Sequence, residues 1–463
     1  MYLESLKIEN IKAFKTLELD FKRPDSGDYA GMNVFVGGNG SGKSTLLKCI
    51  AMALAGRDVA RQLIVMPEGW VSQGERQGSI RLAVGSYHMD DQFNGQDIPP
   101  VSPLTAILLF EPHTLETVAS RIAQSDIIPD KVLWKPEILV AIANESFYPV
   151  ITPESGLWDS TADGWFFSGY GALRRLTGSS IDADRYSEGG RKLSSCITLF
   201  REDAALSVGE AWLKQEYARE AVQQIENGVV ASSSLVKSVV SFLNDGLLPE
   251  GFAIKRVTLD DVYMETPNGG ELPMRDLSDG CRTAYALILD IIRNMTAAYG
   301  TTEIFGTDAE GRVVVDKPGV ILIDELEAHL HPAWQQTICE WLKTRFPKVQ
   351  FFVTTHSPLI AQAADAGGIY VLPLPGELEK GQEARQLSPL EQERIRLGRA
   401  EEVLLGDAFE LKHTWGMDAE HLVQRWNTLA RKKNGKGSLN AEEQGEYDTL
   451  KRKLAITFHS AGS

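Results

Sequence analysis

The stretch from Val34 to Ile50, VFVGGNGSGKSTLLKCI, constrains the fold of this chain more than any other segment. It contains the spacing G-x-x-x-x-G-K-S, preceded by a short apolar run and followed by apolar residues at helical spacing. This order predicts a strand, a glycine-rich loop and a helix N-terminus, which together hold phosphate groups. The alternative is a plain glycine-serine turn, which would not need the complete spacing with both flanks. The candidate nucleotide contacts in this loop are Gly37, Gly38, Asn39, Gly40, Ser41, Gly42, Lys43, Ser44 and Thr45.

A second apolar run supplies carboxylates that complement this loop. Val320–Ile323 reads as a buried parallel strand, and Asp324 and Glu325 follow it at once. Ligands of α/β sheets bind at the carboxyl ends of the strands, so Asp324 and Ser44 are candidate Mg²⁺ ligands. Glu325 is the candidate that activates the attacking water. Taken alone, the two carboxylates could simply cap the next helix, but with the phosphate loop they predict a catalytic nucleotide site.

Two further segments carry candidate phosphate contacts. His356 ends the run FFVTTH, where it is either a contact to the γ-phosphate or an ordinary histidine at a strand end. The segment LSDGCR, which contains Ser278, Asp279 and Gly280, precedes an amphipathic helix and predicts a second anion-binding helix N-terminus. Because one nucleotide already has its loop, this second helix start is either an ordinary cap or a surface that covers the nucleotide of a facing subunit.

Other polar residues near these motifs leave their roles open. Lys12 lies in a turn between two predicted strands and is either a solvated lysine or a candidate nucleotide contact. Gln73 and Gln77 are candidates for a Mg²⁺-sensing glutamine, and their spacing selects neither. Arg174 and Arg175 end the run FFSGYGALRRL. This run indicates either a strand with a tight turn or an arginine that reaches a phosphate or the facing subunit.

Composition excludes several classes of protein. A chain of 463 residues is expected to form two or three structural units. Its net charge of −16 means that contact with DNA would need a local basic patch or a partner. Four scattered cysteines indicate reduced thiols and favour neither a disulfide framework nor a zinc site. We expect a cytoplasmic chain without a membrane span, because the sequence shows no signal-peptide pattern and no sufficiently long apolar run.

The motifs GGNGSGKST, LSDGCR, ILIDELEAHLHP and VTTHSP occur in this order. They resemble the Walker A, signature, Walker B and switch-histidine motifs of ABC-type ATPases, and more narrowly those of the SMC/RecF-like and OLD-like bacterial branch. The resemblance implies an ATP-dependent homodimer or higher oligomer in which two heads hold two ATP molecules with Mg²⁺. It also implies that Ser278, Asp279 and Gly280 contact the nucleotide of the other subunit. Hydrolysis through Glu325 and His356 would then release the dimer.

The G-Y-G-x-x-R-R stretch, a short insertion and a helical tail resemble the ATPase subunits of Septu-type and retron-linked anti-phage systems. The sequence shows neither the long heptad-rich coiled coil of SMC tethers nor, after Pro373, the acidic nuclease motif of complete OLD proteins. The resemblance therefore implies an ATPase that controls a separate effector, such as a nuclease, in anti-phage defence. The alternatives are a RecF-like DNA-repair ATPase that clamps or loads on DNA, and a nucleotide-gated scaffold that scarcely hydrolyses ATP.

The element pattern predicts an α/β fold with a mixed, largely parallel core sheet, an antiparallel β subdomain, a helical lobe and a helical C-terminal tail. Residues 1–86 and 251–375 are expected to form the two parts of an ABC-type ATPase head. Residues 87–250 are expected to form an insertion and a helical lobe, partly within the ATPase core. Residues 388–463 are charged and helix-patterned, and they are either a cap on the head or a docking region for a partner or another subunit.

Overall fold

The computed structural model divides the chain into two compact units, Met1–Ala400 and Glu401–Ser463. Each unit is described separately. The structure describes residues 1–23, 29–64, 69–85, 90–91, 104–110, 156–159, 162–176, 190–206, 208–227, 234–247, 251–300, 303–374, 384–406, 408–409, 411, 417–434 and 439–459.

The first unit contains both strands and helices, and the regular elements described in the second unit are helices. The described strands are β1 (Tyr2–Ile11), β2 (Phe14–Asp20), β3 (Met32–Val36), β4 (Gly78–Gly85), β5 (Leu104–Phe110), β6 (Phe167–Tyr170), β7 (Ala253–Val257), β8 (Val262–Glu265), β9 (Glu271–Pro273), β10 (Phe305–Thr307), β11 (Val313–Val315), β12 (Gly319–Ile323), β13 (Val349–Thr354), β14 (Ile369–Val371) and β15 (Arg385–Gln386). The described helices are α1 (Lys43–Ala55), α2 (Arg57–Leu63), α3 (Arg191–Ser194), α4 (Ile197–Phe200), α5 (Val208–Asn227), α6 (Leu235–Asn244), α7 (Asp279–Tyr299), α8 (Pro332–Arg345), α9 (Pro358–Gln362), α10 (Pro389–Leu397), α11 (Ala400–Leu404), α12 (Met417–Asn434) and α13 (Ala441–His459).

A six-stranded sheet with the order β15-β14-β3-β13-β12-β6 forms the centre of the first unit. The five strands from β14 to β6 run parallel, and β15 pairs antiparallel at the edge. Every residue of β3, β12 and β13 is buried, as expected for parallel strands that are covered on both faces. The carboxyl ends of β3, β13, β12 and β6 therefore lie side by side at one edge of the sheet.

A second, antiparallel sheet with the order β2-β1-β4-β5 packs in the same core. Helix α1 contacts strands of both sheets, and ten of its thirteen residues are buried. A helix that is apolar on nearly all sides is stable only when other parts of the fold cover those sides. Phe21, next to β2, packs edge-on against Phe352 of β13 with ring centroids 4.8 Å apart. The α1 helix therefore packs against both sheets directly after the glycine-rich loop.

The signature segment belongs to a smaller antiparallel subdomain. Strands β7, β8 and β9 form a three-stranded sheet, and a short 3₁₀ turn at Met274–Asp276 leads from it into α7. Helices α5 and α7 pack against each other, and α6 packs on β7 and β11. These elements confirm the α/β class with a largely parallel core sheet, an antiparallel β subdomain and a helical part. The expected division of the head into two parts stays a prediction.

The second unit is built around an antiparallel pair of helices, α12 and α13. Arg425 and Glu446 form an ion pair at 2.8 Å, and Lys432 and Glu443 form another at 2.6 Å. The apolar side chains Val423, Leu429 and Leu450 are buried between them. Among the described helices of either unit, none is long and apolar enough to cross a membrane.

Candidate functional site

The phosphate loop lies between β3 and α1, and its lysine points back into the loop. The Lys43 ammonium donates hydrogen bonds to the carbonyl oxygens of Gly37 at 2.8 Å and Gly38 at 3.0 Å. Burial lowers the pKa of Lys43, and the nearby carboxylates of Asp324, Glu325 and Glu327 oppose that shift. The loop thus presents one fixed cation to an anionic ligand, with acidic groups close behind it.

Gly42 shows why this loop cannot carry a side chain at its last position. Its φ is +91°, and a Cβ atom there would lie 2.6 Å from Cζ of Phe14. Phe14 begins β2, directly after the β1–β2 turn. The opening hairpin therefore packs on the phosphate loop and supports its shape.

Lys12, in the same hairpin turn, is exposed and has a φ of +50°. Its ammonium lies 4.4 Å from the centroid of the Trp70 ring. Although the residue as a whole is exposed, partial burial of its ammonium, followed by repulsion from Lys48 of α1, lowers the pKa of Lys12. The structure thus places Lys12 in a cation–π contact near α1, and a nucleotide contact by Lys12 stays a prediction.

The carboxyl end of β12 holds Asp324 in a defined position. The Thr354 hydroxyl, at the end of β13, donates to Asp324 Oδ1 at 2.6 Å, and the Glu325 amide donates to the same hydroxyl at 2.8 Å. Asp324 is buried, and Glu325 is half-buried with a φ of +46°. Within the described part of the chain, no hydrogen bond or ion pair engages the Glu325 carboxylate. That carboxylate is therefore available to a water molecule.

The paired arginines lie in different environments. Arg174 is buried, and its guanidinium donates to the backbone carbonyl oxygens of Asp324 and Glu325. Burial lowers the pKa of Arg174 to about 10, while Glu327, Asp324 and Glu325 oppose the shift. The side chain of Arg175 is exposed instead. Arg174 thus fixes the peptide that carries the two carboxylates.

Glu327 and the threonines before His356 are site residues that sequence reasoning missed. Glu327 accepts a hydrogen bond from the Thr355 hydroxyl at 2.7 Å and another from the His356 amide at 2.5 Å. The His356 side chain itself is exposed at the end of β13. The available signal was the second glutamate of DELE and the two threonines of VTTH, whose hydroxyl groups suit carboxylates on a neighbouring strand.

The signature segment starts α7 with an unused hydroxyl group. Ser278 is the N-cap residue, its side chain makes no capping hydrogen bond, and both Ser278 and Asp279 are exposed. Asp279 lies 3.6 Å from the Arg282 guanidinium. A Cβ atom at Gly280 would lie 2.4 Å from the carbonyl oxygen of His329, so packing within the same chain already requires a glycine there. Contacts of these residues with a nucleotide of another subunit stay a prediction.

Buried polar groups connect helix α7 to the sheet edge that carries Asp324. The Tyr170 hydroxyl, on β6, donates to Asp290 of α7 at 3.0 Å, and Asn294 donates to the same carboxylate at 2.8 Å. The Tyr170 carbonyl accepts from the Asp324 amide at 2.8 Å. Burial, with the Asp290 charge, raises the pKa of Tyr170, so its hydroxyl stays a donor. Strand β6 therefore contacts both Asp324 and α7 through Tyr170.

The donor set fits Mg²⁺ bound through a nucleotide. Ser44 lies in the first turn of α1, and Asp324 is a buried carboxylate at the facing strand end. Over the described residues, no group of three or more His, Cys, Asp or Glu side chains could form a closed metal cage. Mg²⁺ commonly uses one or two protein oxygens plus phosphate oxygens and water, which matches this pair.

Neither candidate Mg²⁺-sensing glutamine is selected by the structure. Gln73 and Gln77 are both exposed in the segment before β4. The backbone carbonyl of Gln77 accepts from the Asn10 side chain at 3.2 Å. Within the described residues, neither glutamine side chain hydrogen-bonds to the phosphate loop or to the carboxylates of the site.

Comparisons with known proteins agree with this geometry. Family models described as "AAA domain" and "AAA domain, putative AbiEii toxin, Type IV TA system" match residues 5–85 and 177–361. The chain is 22% identical to the Septu protein PtuA of Bacillus mycoides (strain KBAB4) over 80% of its own length and 40% of that protein. It is 38% identical to the Retron Ec83 probable ATPase of Escherichia coli over 26% of its own length and 20% of that protein. The chain is thus similar to proteins named as a Septu protein PtuA and as a retron probable ATPase.

These matches confirm the resemblance and also limit its reach. The chain spans 40% or less of the length of the Septu and retron relatives named above. A solved SMC head domain from Thermotoga maritima aligns with a TM-score of 0.34 and 15% identity, over 79% of this chain and 93% of that one. Because the chain spans less than half of the Septu and retron relatives, its activity, substrates and partners are matters for proposal.

Proposed function

We propose that this chain binds ATP with Mg²⁺ and hydrolyses it in a dimer that holds each nucleotide between two heads. The observation that carries the proposal is the convergence of three distant segments on one sheet edge. The carboxylates at the end of β12 lie close enough to Lys43 to raise its pKa against the effect of burial. His356 is exposed at the end of β13, the strand between β3 and β12. A cation for the phosphates, a carboxylate for the metal and a free carboxylate for water are the parts that phosphoryl transfer requires.

Each residue takes a role in this proposal. Lys43 binds the β- and γ-phosphates, the loop amides from Gly37 to Thr45 surround them, and Ser44 and Asp324 hold Mg²⁺. Glu325 accepts the proton of the attacking water, and His356 donates to the γ-phosphate as charge develops there. The exposed Ser278 hydroxyl, at the positive end of a 21-residue helix, contacts the nucleotide of the second copy.

The experiment is a comparison of ATP binding and hydrolysis in three variants. Lys43→Ala should lose ATP binding, because the loop loses its fixed cation. Glu325→Gln should keep ATP and Mg²⁺ bound, slow hydrolysis by roughly a hundredfold or more and accumulate the ATP-bound dimer. His356→Ala should reduce hydrolysis more than binding. Parental ATP affinity in Lys43→Ala, or parental turnover in Glu325→Gln, would contradict the assignment.

We further propose that the dimer controls an effector subunit, a nuclease, in anti-phage defence. The similarity to a Septu protein and to retron ATPases supports this, although the alignments span only part of those proteins. Single-turnover hydrolysis separates this proposal from a scaffold that scarcely hydrolyses ATP. An ATPase rate that DNA stimulates, without dependence on an effector, would favour a DNA-repair ATPase instead.

A further inference from the structure

We propose that Glu327 is a positioning residue for the switch histidine and does not act on the attacking water. The inference rests on the proposed ATPase function and assigns a role that the motif spacing left open. Glu327 lies two residues after Glu325, so the two carboxylates are the natural rivals for the role of catalytic base. The hydrogen bonds of the two carboxylates distinguish their roles.

Both carboxylate oxygens of Glu327 are already in use. Oε2 accepts from the Thr355 hydroxyl at 2.7 Å, and Oε1 accepts from the His356 backbone amide at 2.5 Å. Over the described chain, Glu325 has no such bond to its carboxylate, so it can accept from water without breaking a contact. A base must lie within hydrogen-bond reach of water, and both carboxylate oxygens of Glu327 already accept from donors of the chain itself. Glu325 is therefore the base and Glu327 the support.

The support acts on the segment that carries His356. The Thr355 hydroxyl donates to Glu327 and also accepts from the Ser357 amide at 2.9 Å, and the Ser357 hydroxyl caps α9 at Leu359. The backbone on both sides of His356 is thereby fixed, while the imidazole stays exposed. Glu327 thus links the turn after β12 to the end of β13 and sets where the imidazole stands relative to a γ-phosphate.

The charge of Glu327 acts on binding separately from its hydrogen bonds. It is one of three carboxylates whose proximity raises the pKa of Lys43 against the effect of burial. Removing this charge changes the field at the phosphate loop and therefore ATP affinity. Loss of positioning, in contrast, acts on the chemical step. Measuring kcat and ATP affinity separately keeps the two effects apart.

The decisive experiment is a double-mutant cycle between Glu327 and His356 in the full chain. Glu327→Ala should lower kcat by roughly tenfold to a hundredfold, as expected for a misplaced catalytic group. In a His356→Ala background the same change should lower kcat by less than about twofold, because residues that act as a unit are not additive. Glu327→Gln should keep more activity than Glu327→Ala, since its amide oxygen can still accept from the His356 amide. Glu310→Ala is the control, because Glu310 is exposed and pairs with Arg312.

The outcomes separate this inference from the proposed function. Additive losses for Glu327→Ala and His356→Ala, with an active parental chain, would overturn the positioning role. A Glu327→Gln variant that traps the ATP-bound dimer as Glu325→Gln does would make Glu327 the base instead. An inactive parental chain would contradict the proposed ATPase itself. Melting temperatures of all variants identify any loss of activity that comes from unfolding.

Discussion

The Thr354 hydroxyl donates to Asp324 Oδ1 at 2.6 Å and joins the ends of the two neighbouring strands β13 and β12. Without this contact, the buried Asp324 carboxylate would lose its hydrogen-bond donor from β13. Thr354→Val removes the hydroxyl at nearly equal volume. We expect the free energy of unfolding to fall by about 1–3 kcal/mol, since a buried hydrogen-bonding group loses its partner. The Mg²⁺ concentration for half-maximal ATPase activity should rise.

Thr354→Ser is the matched control, because serine keeps the hydroxyl that Asp324 and the Glu325 amide use. Chemical denaturation and a Mg²⁺ titration of ATPase activity check both effects. An unchanged Mg²⁺ requirement in Thr354→Val would mean that this contact does not orient a metal ligand.

The adjacent arginines offer an internal comparison. Arg174 is buried on the carbonyl oxygens of Asp324 and Glu325, whereas Arg175 is exposed. We expect Arg174→Met to lower both ATP turnover and the melting temperature, because two buried carbonyl groups lose their donor. Arg175→Met should leave the melting temperature nearly unchanged. If only Arg175→Met reduced hydrolysis, the exposed arginine would be the functional one, as a contact to phosphate or a facing subunit.

The signature segment is tested through dimerisation. Ser278→Arg places a bulky cation at the start of α7, where the exposed serine makes no capping bond. We expect parental ATP affinity in the single chain, with loss of ATP-dependent dimerisation and of hydrolysis. Size-exclusion chromatography with and without ATP measures the first effect. If Ser278→Arg dimerised with ATP as the parent does, the segment would be only the start of a helix that packs on His329.

A mixture of chains sharpens this test. In a dimer of one Ser278→Arg chain and one Lys43→Ala chain, one composite site has both defects and the other has neither. The mixture should therefore recover part of the activity that each variant lacks alone, provided that one site can turn over by itself. If mixtures at a ratio that forms mixed dimers were inactive, both composite sites would have to be intact for ATP hydrolysis.

Residues Glu401–Ser463 form a compact unit of their own. Removing them tests whether this unit docks a partner. The cut belongs after Ala400, because α10 is integral to the first unit. Gln392 is buried there and accepts from the Gly367 amide at 2.7 Å. We expect a chain ending at residue 400 to bind ATP normally but to lose co-purification with an effector encoded beside it. A truncated chain that still co-purifies would assign the docking surface to the first unit.

A buried lysine predicts a pH dependence of stability. Burial, with the charge of Arg191, lowers the pKa of Lys192 from 10.5 to about 7. Between these values the unfolded chain binds a proton that the folded chain does not, so this group's contribution to stability rises with pH across the window. Below pH 7 both states are protonated, and the folded state carries the full cost of the buried charge.

Lys192→Met removes that cost. We expect the stability of this variant relative to the parent to be most favourable below pH 7 and to decline as the pH rises towards 10.5. The lost hydrogen bond from Lys192 to the Leu157 carbonyl shifts the curve by a constant amount and leaves its slope unaffected. Denaturation at several pH values measures the slope, with the exposed Lys237→Met as control. Parallel curves for parent and Lys192→Met would contradict the shifted lysine.

The sequence by itself determined the parts that local chemistry defines. The phosphate loop needs glycine at Gly42, a lysine at Lys43 and a strand and helix at its flanks, and all of these are readable within a few residues. The apolar run before Asp324 likewise indicated a buried parallel strand, and β12 confirms it. Because these features depend on near neighbours, they predicted the fold class and the resemblance to SMC-like ATPases.

Only the tertiary structure decided which side chains meet across the strands. Thr354 and Asp324 are 30 residues apart in the chain, and Arg174 and Glu325 are 151 apart. They meet because β13, β12 and β6 are neighbours in the sheet, and hydrophobic periodicity carries no information on strand order. For the same reason, the apolar pattern of Leu104–Phe110 does not define its place as the edge strand β5 of the antiparallel sheet. The roles of Arg174, Thr354 and Glu327 therefore follow from sheet topology, while the phosphate loop follows from spacing alone.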